Sequence, residues 1–369
     1  MCLCVSKKII QCVLKAKQGI TTIIHYPLSI IIMRKLVSIQ RIKALEPIAG
    51  ADAIEKATVL GWQLVVKKGE FQVGDLAVYC EIDSLMPDKP EFEFLKARGM
   101  RIKTIRLRGQ ISQGICFPVS ILPENTPIVE GEEVTDILGI TKYEPPMPAS
   151  LLGIAKGKFP SFIPKTDETR VQVLQDLLDK CAGERCYITE KLDGSSVTYY
   201  VNNGEFGVCS RNLELLEDDE NSLWKVAKAL NIEEKLRSTG KNIALQGELV
   251  GEGIQSNKLK LRGQTVRFFN VFDIDRFEFL YLEDFKQFLA ALDLPSVPIL
   301  NDNYILQNDI DALVKMATIR SSVYPEAWAE GIVIRTCEKT TVGLHHEDFS
   351  NGRVSFKAIN PEFLLKYGE

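Results

Sequence analysis

Residues 187–196 read YITEKLDGSS, an apolar run that leads through one lysine, Lys191, into a turn at Gly194. The run predicts a β-strand, and the end of a strand holds a side chain firmly in place. Glycine lets the backbone approach a phosphate closely because it has no side chain. Alone, the tetrapeptide is a weak signal, since most such sequences are surface turns. The interpretation of Lys191 therefore depends on the rest of the chain.

Polar residues recur inside or at the ends of the apolar runs that follow. They are Arg211 in Ser210-Arg211-Asn212, Glu248 in QGELVG, Phe272 in FNVFDI, Glu330 before GIVIR, and Lys357 in Ser355-Phe356-Lys357. Each has a structural alternative, either a strand-end ion pair or a solvated turn. Together and in this order, the segments resemble the motifs of covalent nucleotidyltransferases. That superfamily contains the ATP-dependent DNA ligases, the RNA ligases and the mRNA-capping enzymes.

The chemistry of that superfamily accounts for these residue types. The attacking group is an uncharged lysine amine, whereas a free lysine has a pKa of about 10.4 and is protonated at pH 7. Lowering the pKa by about 3 units disfavours the ammonium by about 4 kcal/mol. Burial and nearby cations have this effect, and a bound metal ion is the strongest such cation.

The resemblance implies ATP and Mg²⁺ or Mn²⁺ as cofactors, with Lys191 as the nucleophile that carries AMP. Oxygen ligands suit the metal, and the candidates are Asp193, Glu248 and Glu330. Cations suit the phosphates, and the candidates are Lys357 and Arg211. Phe272 is expected to stack on adenine, and Glu248 has the alternative role of binding the ribose. Glu190 and Leu192, which flank Lys191, complete the expected ATP site.

The order of the segments narrows the resemblance to one family. DNA ligases and capping enzymes place an OB barrel after the last motif, but only 12 residues follow Lys357 here. A β-rich segment precedes Lys191 instead, as in a smaller RNA ligase family with an N-terminal OB domain. The resemblance covers residues 34–369 and includes the segments at 159–170 and 355–367. It implies joining of RNA 3′-hydroxyl and 5′-phosphate ends, in a nicked duplex, by a monomer active in RNA repair.

The chain departs from the superfamily in its last motif. That motif often has the order lysine–apolar–lysine, and Ser355 stands at the first lysine position. Lys357 is then the firmer phosphate ligand. Arg170 or Lys165 is expected to supply the missing cation, with a solvated linker and helix start as the alternative for both.

Turn signals and periodicity predict an α+β fold in two domains. An OB-type barrel is expected over 34–140, a proline-rich linker without ladder pairing over 141–165, and an adenylyltransferase domain of antiparallel sheets flanked by helices over 166–369. The expected helices are 171–180, 223–236 and 282–292, and the expected strands include 102–107, 186–190, 196–201, 243–250, 267–274, 331–335 and 353–358.

Composition sets bounds on the class of protein. The net charge is −4, so a nucleic-acid surface has to be local. Nine cysteines without paired zinc-type spacing favour reduced thiols in an intracellular, cytoplasmic protein. Residues 1–33 contain an apolar stretch too short to span a bilayer, and are expected to be an organelle-targeting extension or a stretch upstream of a start at Met33.

A basic strand in the expected barrel predicts an RNA surface. Its basic residues alternate with apolar ones, and they are Arg101, Lys103, Arg106 and Arg108. Lys258 and Lys260 alternate similarly later in the chain and are candidates for binding RNA or pyrophosphate. The alternative for both sets is ordinary strand solubilisation.

Two other functions remain open at this stage. One is a DNA ligase or capping guanylyltransferase that takes its OB domain from a partner. The other is a nucleic-acid-binding protein with a decayed active site. The presence of Lys191, Glu248, Glu330 and Lys357 argues against decay.

Overall fold

The computed structural model describes residues 35–144, 153–340 and 353–368. The expected N-terminal extension lies outside the described residues. Among the described helices, none is long and apolar enough to cross a membrane. The six described cysteines are free and buried, as the sequence predicted for reduced thiols.

The N-terminal part is an antiparallel sheet that curls into an OB-like half-barrel. Its sheet order is β3-β2-β1-β4-β8, with two small sheets, β5-β9 and β6-β7. The strands are β1 Val37–Pro47, β2 Ile54–Val59, β3 Trp62–Lys67, β4 Leu76–Cys80, β5 Ser84–Leu85, β6 Ile105–Leu107, β7 Gln110–Ser112, β8 Ile115–Pro118 and β9 Thr141–Lys142. The helices are the 3₁₀ helices Pro90–Arg98 and Val119–Ile121 and the short α1 Thr135–Leu138. Strand β1 pairs with β4 in its first half and with β2 in its second, and the register shifts between Ile42 and Ala44. Such an irregularity bends a strand and allows the sheet to curl.

The C-terminal part contains two sheets. The first has seven strands in the order β10-β15-β14-β13-β16-β17-β18, and the second has five in the order β11-β21-β20-β12-β19. Their strands are β10 Ala155–Lys158, β11 Thr169–Arg170, β12 Arg185–Lys191, β13 Ser195–Asn202, β14 Glu205–Cys209, β15 Leu213–Leu215, β16 Ile243–Gly251, β17 Gln264–Asp273, β18 Glu278–Phe279, β19 Ile299–Ile305, β20 Gly331–Thr336 and β21 Ser355–Ile359. Strand β11 runs parallel to β21, and the other neighbouring strands are antiparallel.

Most helices of this part flank the two sheets, whereas the last helix packs against the half-barrel. The helices are α2 Gln175–Cys181, α3 Ser222–Ala229, α4 Ile232–Ser238, α5 Leu282–Ala291, α6 Ile310–Ala317 and α7 Pro361–Tyr367, with 3₁₀ helices Val171–Val173 and Gln255–Asn257. The helix expected over 223–236 is two helices, because Asn231 adopts a left-handed conformation between them. Asparagine tolerates that conformation better than most residues, so the break has a local cause. The observed architecture confirms the predicted α+β fold.

Alternation along the strands turns two sheet faces toward each other. In β16, Leu245 and Leu249 pack in the helix-side core, so Gln246 and Glu248 point to the other face. In β12, Ile188 packs against α2 and α6, which turns Lys191 to the other face. Hydrogen bonding across the gap, from Arg353 Nη2 to Asn270 Oδ1 at 2.9 Å, shows that these faces meet. The cleft between the sheets therefore receives the polar residues singled out in the sequence.

The half-barrel and the C-terminal part share a core. Ile359, Phe363 and Leu364, at the end of the chain, belong to the same buried cluster as the barrel strands. At the turn between β2 and β3, the Gly61 amide donates to the Gln172 carbonyl at 2.9 Å. A Cβ atom at Gly61 would lie 2.7 Å from the Ile310 side chain, so only glycine fits this close approach. The two parts are thus packed together directly.

Two expectations about the N-terminal half were wrong. The strand expected over 102–107 is shortened to β6, because Ile102 and Thr104 are buried and the chain before Ile105 is irregular. The segment 141–165 was expected to lack ladder pairing, yet β9 pairs with β5 and β10 pairs with β15. Neither short strand contains a proline, so every residue in them has a backbone N–H that can donate to a neighbouring strand.

Candidate active site

Lys191 is the last residue of β12, where the sequence predicted a strand end. It pairs in register with Gly331, which begins β20 directly after Glu330. This register brings the side chains together, and Lys191 Nζ lies 2.6 Å from Glu330 Oε2. Both side chains are largely buried. The lysine is therefore held beside a carboxylate at the mouth of the cleft.

Gly194 has a different role from the one its position suggested. The expectation was that the glycine leaves room for a phosphate. A Cβ atom there would lie 2.3 Å from the Leu249 carbonyl oxygen and 2.9 Å from Glu248 Cγ. The missing side chain thus lets β16 approach the lysine turn. That approach places Glu248 beside the nucleophile candidate.

The carboxylates set the charge of Lys191. Burial alone would lower the pKa of Lys191, but Glu330 and Glu248 outweigh burial and raise that pKa above its usual value. Burial is the main cause that raises the pKa of Glu248 to about 8; Lys191 acts against burial, and Glu330 and Asp193 act with it. In the absence of a divalent cation, Lys191 is an ammonium rather than the free amine that attack requires.

Two further cations lie near Lys191. Burial, together with the positive charges of Arg170 and Lys191, lowers the pKa of Lys357 to about 7. Strand pairing explains the proximity, since Arg170 in β11 is in register with Lys357 in β21. Like charges gathered in a buried cleft repel one another, so a polyanion would stabilise them. A triphosphate is an anion of the required charge.

The remaining predicted phosphate ligands lie at the surface. Arg211 Nη2 is 2.5 Å from Asp167 Oδ1, and both side chains are about half exposed. Burial would raise the pKa of Asp167, but Arg211 and Lys357 outweigh it and lower that pKa. Lys165 Nζ donates to Asn212 Oδ1 at 3.0 Å and is exposed. These residues border the cleft at its solvent side.

Asp193 is paired with Lys258, although the two are 65 residues apart. Lys258 Nζ lies 2.6 Å from Asp193 Oδ2, and the side chains are only 12% and 10% exposed. The ammonium also lies 5.3 Å from the ring centres of both Phe363 and Tyr367 in α7. Lys258 therefore anchors the lysine turn to the last helix, and its contact with RNA or pyrophosphate stays a prediction.

A preformed metal cage is absent from the described ranges. No three His, Cys, Asp or Glu side chains in residues 35–144, 153–340 and 353–368 are arranged to hold a metal ion by themselves. Asp193, Glu248 and Glu330 all act on Lys191 electrostatically, so they lie near one another. Mg²⁺ is commonly bound by one or two carboxylates together with substrate phosphates, and this arrangement suits that mode.

Three further residues of the predicted ATP site, Glu190, Leu192 and Phe272, are buried. Glu190 accepts hydrogen bonds from the Ser321 hydroxyl, at 2.5 Å, and from the amide and hydroxyl of Ser322, at 2.9 Å and 2.5 Å. Leu192 packs with Val250, Leu259 and Val297. Phe272 is fully buried, with the rings of Phe277 and Phe279 at 5.2 Å and 4.9 Å.

Sequence reasoning missed a second aromatic residue, Phe269. Its ring is partly exposed and packs against the cluster that contains Leu192. The register between β16 and β17 shifts after Asn270, so Phe269 falls on a bulge. A bulge of this kind depends on how two strands pair. The spacing of residues along a single strand therefore does not predict it.

Ser355, at the expected lysine position, belongs to a buried network. Its hydroxyl donates to Glu168 Oε1 at 2.7 Å, and Arg335 Nη2 donates to the same oxygen at 3.1 Å. Arg335 also donates to Thr189 Oγ1 at 3.2 Å. Arg335 was quoted only as part of a strand, and its role next to Ser355 was missed. A buried arginine thus stands where the family pattern places a lysine charge.

Most of the predicted RNA strand makes contacts within the chain. Arg101 Nη2 is 2.7 Å from Asp83 Oδ1, Lys103 Nζ donates to the Gly368 carbonyl at 2.9 Å, and Arg106 Nη2 is 2.5 Å from Glu362 Oε1. Arg108 and Lys260 are exposed. Arg106 is exposed as well, and an RNA role for this set stays a prediction.

Comparisons with known proteins agree with this arrangement. A family model described as RNA ligase matches residues 184–359, and one described as an OB-fold domain matches residues 36–119. No curated protein sequence matched the chain.

Solved structures of an RNA ligase from Naegleria gruberi are similar to the whole described fold. The structure with PPi is 38% identical, has a TM-score of 0.81, and covers 90% of this chain and 98% of that chain. A lysine-to-alanine mutant with ATP and Mn has a TM-score of 0.81 at 38% identity, and the match covers 89% of this chain and 98% of that chain. A glutamate-to-alanine mutant with AMP and Mn has a TM-score of 0.81 at 38% identity, and the match covers 90% of this chain and 98% of that chain. The resemblance inferred from the motifs is confirmed: the chain belongs to the RNA ligase family, with an N-terminal OB domain and a C-terminal ligase domain.

Proposed function

We propose that this protein is an ATP-dependent RNA ligase that joins 3′-hydroxyl and 5′-phosphate ends and carries AMP covalently on Lys191. The observation that carries the proposal is the position of Lys191 between two carboxylates, Glu248 and Glu330, and two cations, Lys357 and Arg170. The carboxylates suit a divalent cation and the cations suit phosphates. The Naegleria gruberi structures with ATP and Mn support the same choice of cofactors.

The first step forms a phosphoramidate. The Lys191 amine attacks the α-phosphorus of ATP, a P–N bond forms, and the bond to the leaving pyrophosphate breaks. Glu330 and Glu248 would hold a divalent cation, which would offset the negative charge that keeps Lys191 an ammonium and would supply Lewis-acid polarisation of the phosphate. Lys357 and Arg170 bind the phosphate oxygens, on which charge accumulates in the transition state. Arg211 and Lys165 reach the substrate from the rim of the cleft.

Later steps use the same cleft. The AMP passes from Lys191 to the 5′-phosphate of an RNA strand, and a 3′-hydroxyl then attacks that activated phosphate and expels AMP. The proposed substrate is a nicked duplex, and the proposed process is RNA repair. The enzyme is proposed to act as a monomer. We infer that residues 34–140 act as the OB domain and 166–369 as the adenylyltransferase domain, joined through 141–165. Arg108 and Lys260 are the proposed RNA contacts.

Two phenylalanines are proposed for the adenine site. Phe272 lies on the same sheet face as Glu248, and its use as a stacking ring requires the Phe277 and Phe279 rings to move. Phe269 is already partly exposed beside Leu192. Stacking on a base is worth about 1–3 kcal/mol, so loss of the correct ring raises the half-saturating ATP concentration by about 5- to 150-fold. Phe269→Ala and Phe272→Ala distinguish the two.

A sealing assay on nicked duplexes tests the proposed function. The nicks carry RNA or DNA on the 3′-hydroxyl side. The variants are Lys191→Ala and, as a matched control, Lys315→Ala, which changes an exposed lysine of α6. Wild type and the control should join nicks with an RNA 3′-hydroxyl, and Lys191→Ala should join none. Equal joining of nicks with a DNA 3′-hydroxyl would favour the DNA ligase alternative. An adduct formed only with GTP would favour a capping enzyme.

A further inference from the structure

Asp83 of the half-barrel contacts an arginine of the catalytic cleft. One carboxylate oxygen, Oδ1, is 2.7 Å from Arg101 Nη2, and the other, Oδ2, is 3.6 Å from Arg170 Nη2. Arg101 comes from the same half-barrel, whereas Arg170 lies in β11 beside Lys357. A single carboxylate therefore joins the OB domain to the phosphate-binding side of the cleft.

The backbone holds Asp83 in place. Its amide donates to the Ile102 carbonyl at 2.8 Å, and its carbonyl accepts from the Tyr143 amide at 2.8 Å. Its φ of 72° is in the left-handed region, which aspartate adopts more readily than most residues. Arg101, the other partner, lies 3.9 Å above the Tyr143 ring centre. The carboxylate is thus a fixed point rather than one end of a flexible surface pair.

Arg170 needs such a fixed point. It shares the cleft with Lys357 and Lys191, and like charges at short range push a long side chain toward solvent. An arginine also loses rotamer entropy when it is held in one conformation. Arg170 and Asp83 are only 14% and 22% exposed, so water screens their attraction less than in a surface pair. The Trp62 ring, 5.8 Å from the guanidinium, provides a second contact from the half-barrel.

We propose that Asp83 is a positioning residue for ATP: it holds Arg170 toward the triphosphate, so the OB domain takes part in the adenylylation of Lys191. The inference rests on the proposed function, because it assumes ATP in the cleft. The β- and γ-phosphates are present only in the first step. Loss of Asp83 should therefore impair adenylylation and spare the joining of an end that already carries AMP.

The test compares Asp83→Asn with a matched control from the same domain. Glu130→Gln removes a carboxylate that pairs with Arg41 at 2.9 Å, away from the cleft. Two rates are measured for each protein: uptake of AMP from labelled ATP over a range of ATP concentrations, and sealing without ATP of an RNA nick whose 5′ end is already adenylylated. Arg170→Lys and the double variant Asp83→Asn with Arg170→Ala complete the set.

We expect Asp83→Asn to raise the half-saturating ATP concentration about tenfold, which corresponds to about 1.4 kcal/mol. Its rate on the adenylylated nick should stay within about twofold of wild type, which also shows that the variant is folded. Arg170→Lys should reproduce the defect, since the shorter side chain does not reach Asp83. In an Arg170→Ala background, Asp83→Asn should add no further defect, because its partner is already gone.

Three results would overturn the inference. The first is an Asp83→Asn protein that matches Glu130→Gln in both rates. The second is a full additional loss in the Arg170→Ala background. The third is equal loss of both rates, which would indicate general damage. If wild type and Glu130→Gln take up no AMP, the proposed function itself fails along with the inference.

Discussion

Lys191 Nζ and Glu330 Oε2 lie 2.6 Å apart at the meeting point of β12 and β20. The pair keeps the nucleophile candidate charged, since the carboxylate of Glu330 raises the pKa of Lys191 despite its burial. A charged lysine is inert toward phosphorus. The site is therefore set to react only when ATP and a divalent cation change the charges around Lys191.

Replacing Glu330 by glutamine should separate lysine basicity from catalysis. Without the carboxylate the pKa of Lys191 falls, so at pH 8 an amine-reactive reagent such as acetic anhydride should label Lys191 several-fold faster than in wild type. Adenylylation should nevertheless fall by about 100-fold or more, because a metal ligand is lost. Peptide mapping after labelling, with AMP uptake in parallel, checks both effects. A variant that labels slowly and adenylylates normally would contradict this account of the pair.

Glu248 should make stability depend on pH. Its pKa is about 8 in the folded protein, against an ordinary value of 4.5. Between these values the folded form keeps a proton that the unfolded chain has released, so stability falls as pH rises through this window. The loss amounts to at most about 1.4 kcal/mol per pH unit.

Glu248→Gln removes that titration. The free energy of unfolding of wild type, measured relative to Glu248→Gln by urea denaturation, should fall between pH 5 and pH 8. A difference that is the same at both pH values would show that Glu248 does not hold a proton in the folded state.

The Asp193–Lys258 pair should behave as one unit. Removing one partner deprives the other, mostly buried charge of its counterion at 2.6 Å, and such a loss costs about 3–5 kcal/mol for fully buried pairs. Removing both, in Asp193→Asn with Lys258→Met, leaves no such charge. The double variant should be more stable than the sum of the single losses predicts, with a coupling above about 1 kcal/mol in urea denaturation. Additive losses would mean that the two side chains act independently.

Gly194→Ala tests whether the turn positions Glu248. The added Cβ would meet the Leu249 carbonyl at 2.3 Å, so β16 has to move. Displacements of about 1 Å in a reacting site cost up to about 100-fold in rate. Gly157→Ala is a matched control, since a Cβ there meets nothing within 4 Å. Adenylylation should fall at least tenfold for Gly194→Ala and stay unchanged for the control; equal rates would exclude this role of the turn.

Local sequence predicted the elements that carry the site. The strand ending at Lys191 and the apolar runs around Glu248 and Glu330 have strong periodicity, and the structure contains strands in all three places. The predicted ends of helices and strands were less accurate than their positions where a single residue sets the end. Asn231 is an example, because its left-handed conformation splits an expected helix in two.

Partners that are distant in sequence were not predictable. Lys258 with Asp193, Ser321 with Glu190, and Asp83 with Arg170 are brought together by the packing of separate elements. Spacing along one strand carries no information on such pairs. The predicted RNA strand shows the same limit, since the contacts of Lys103 with the Gly368 carbonyl and of Arg106 with Glu362 in α7 were not predicted.

The central claim is that Lys191 carries AMP. Incubation of wild-type protein with ATP and Mg²⁺, followed by proteolysis under conditions that preserve the P–N bond and by mass spectrometry, locates the adduct directly. We expect one AMP per chain, on the peptide that contains Lys191, and its release when pyrophosphate is added. An adduct on another residue, or no adduct while RNA ends are still joined, would contradict the account.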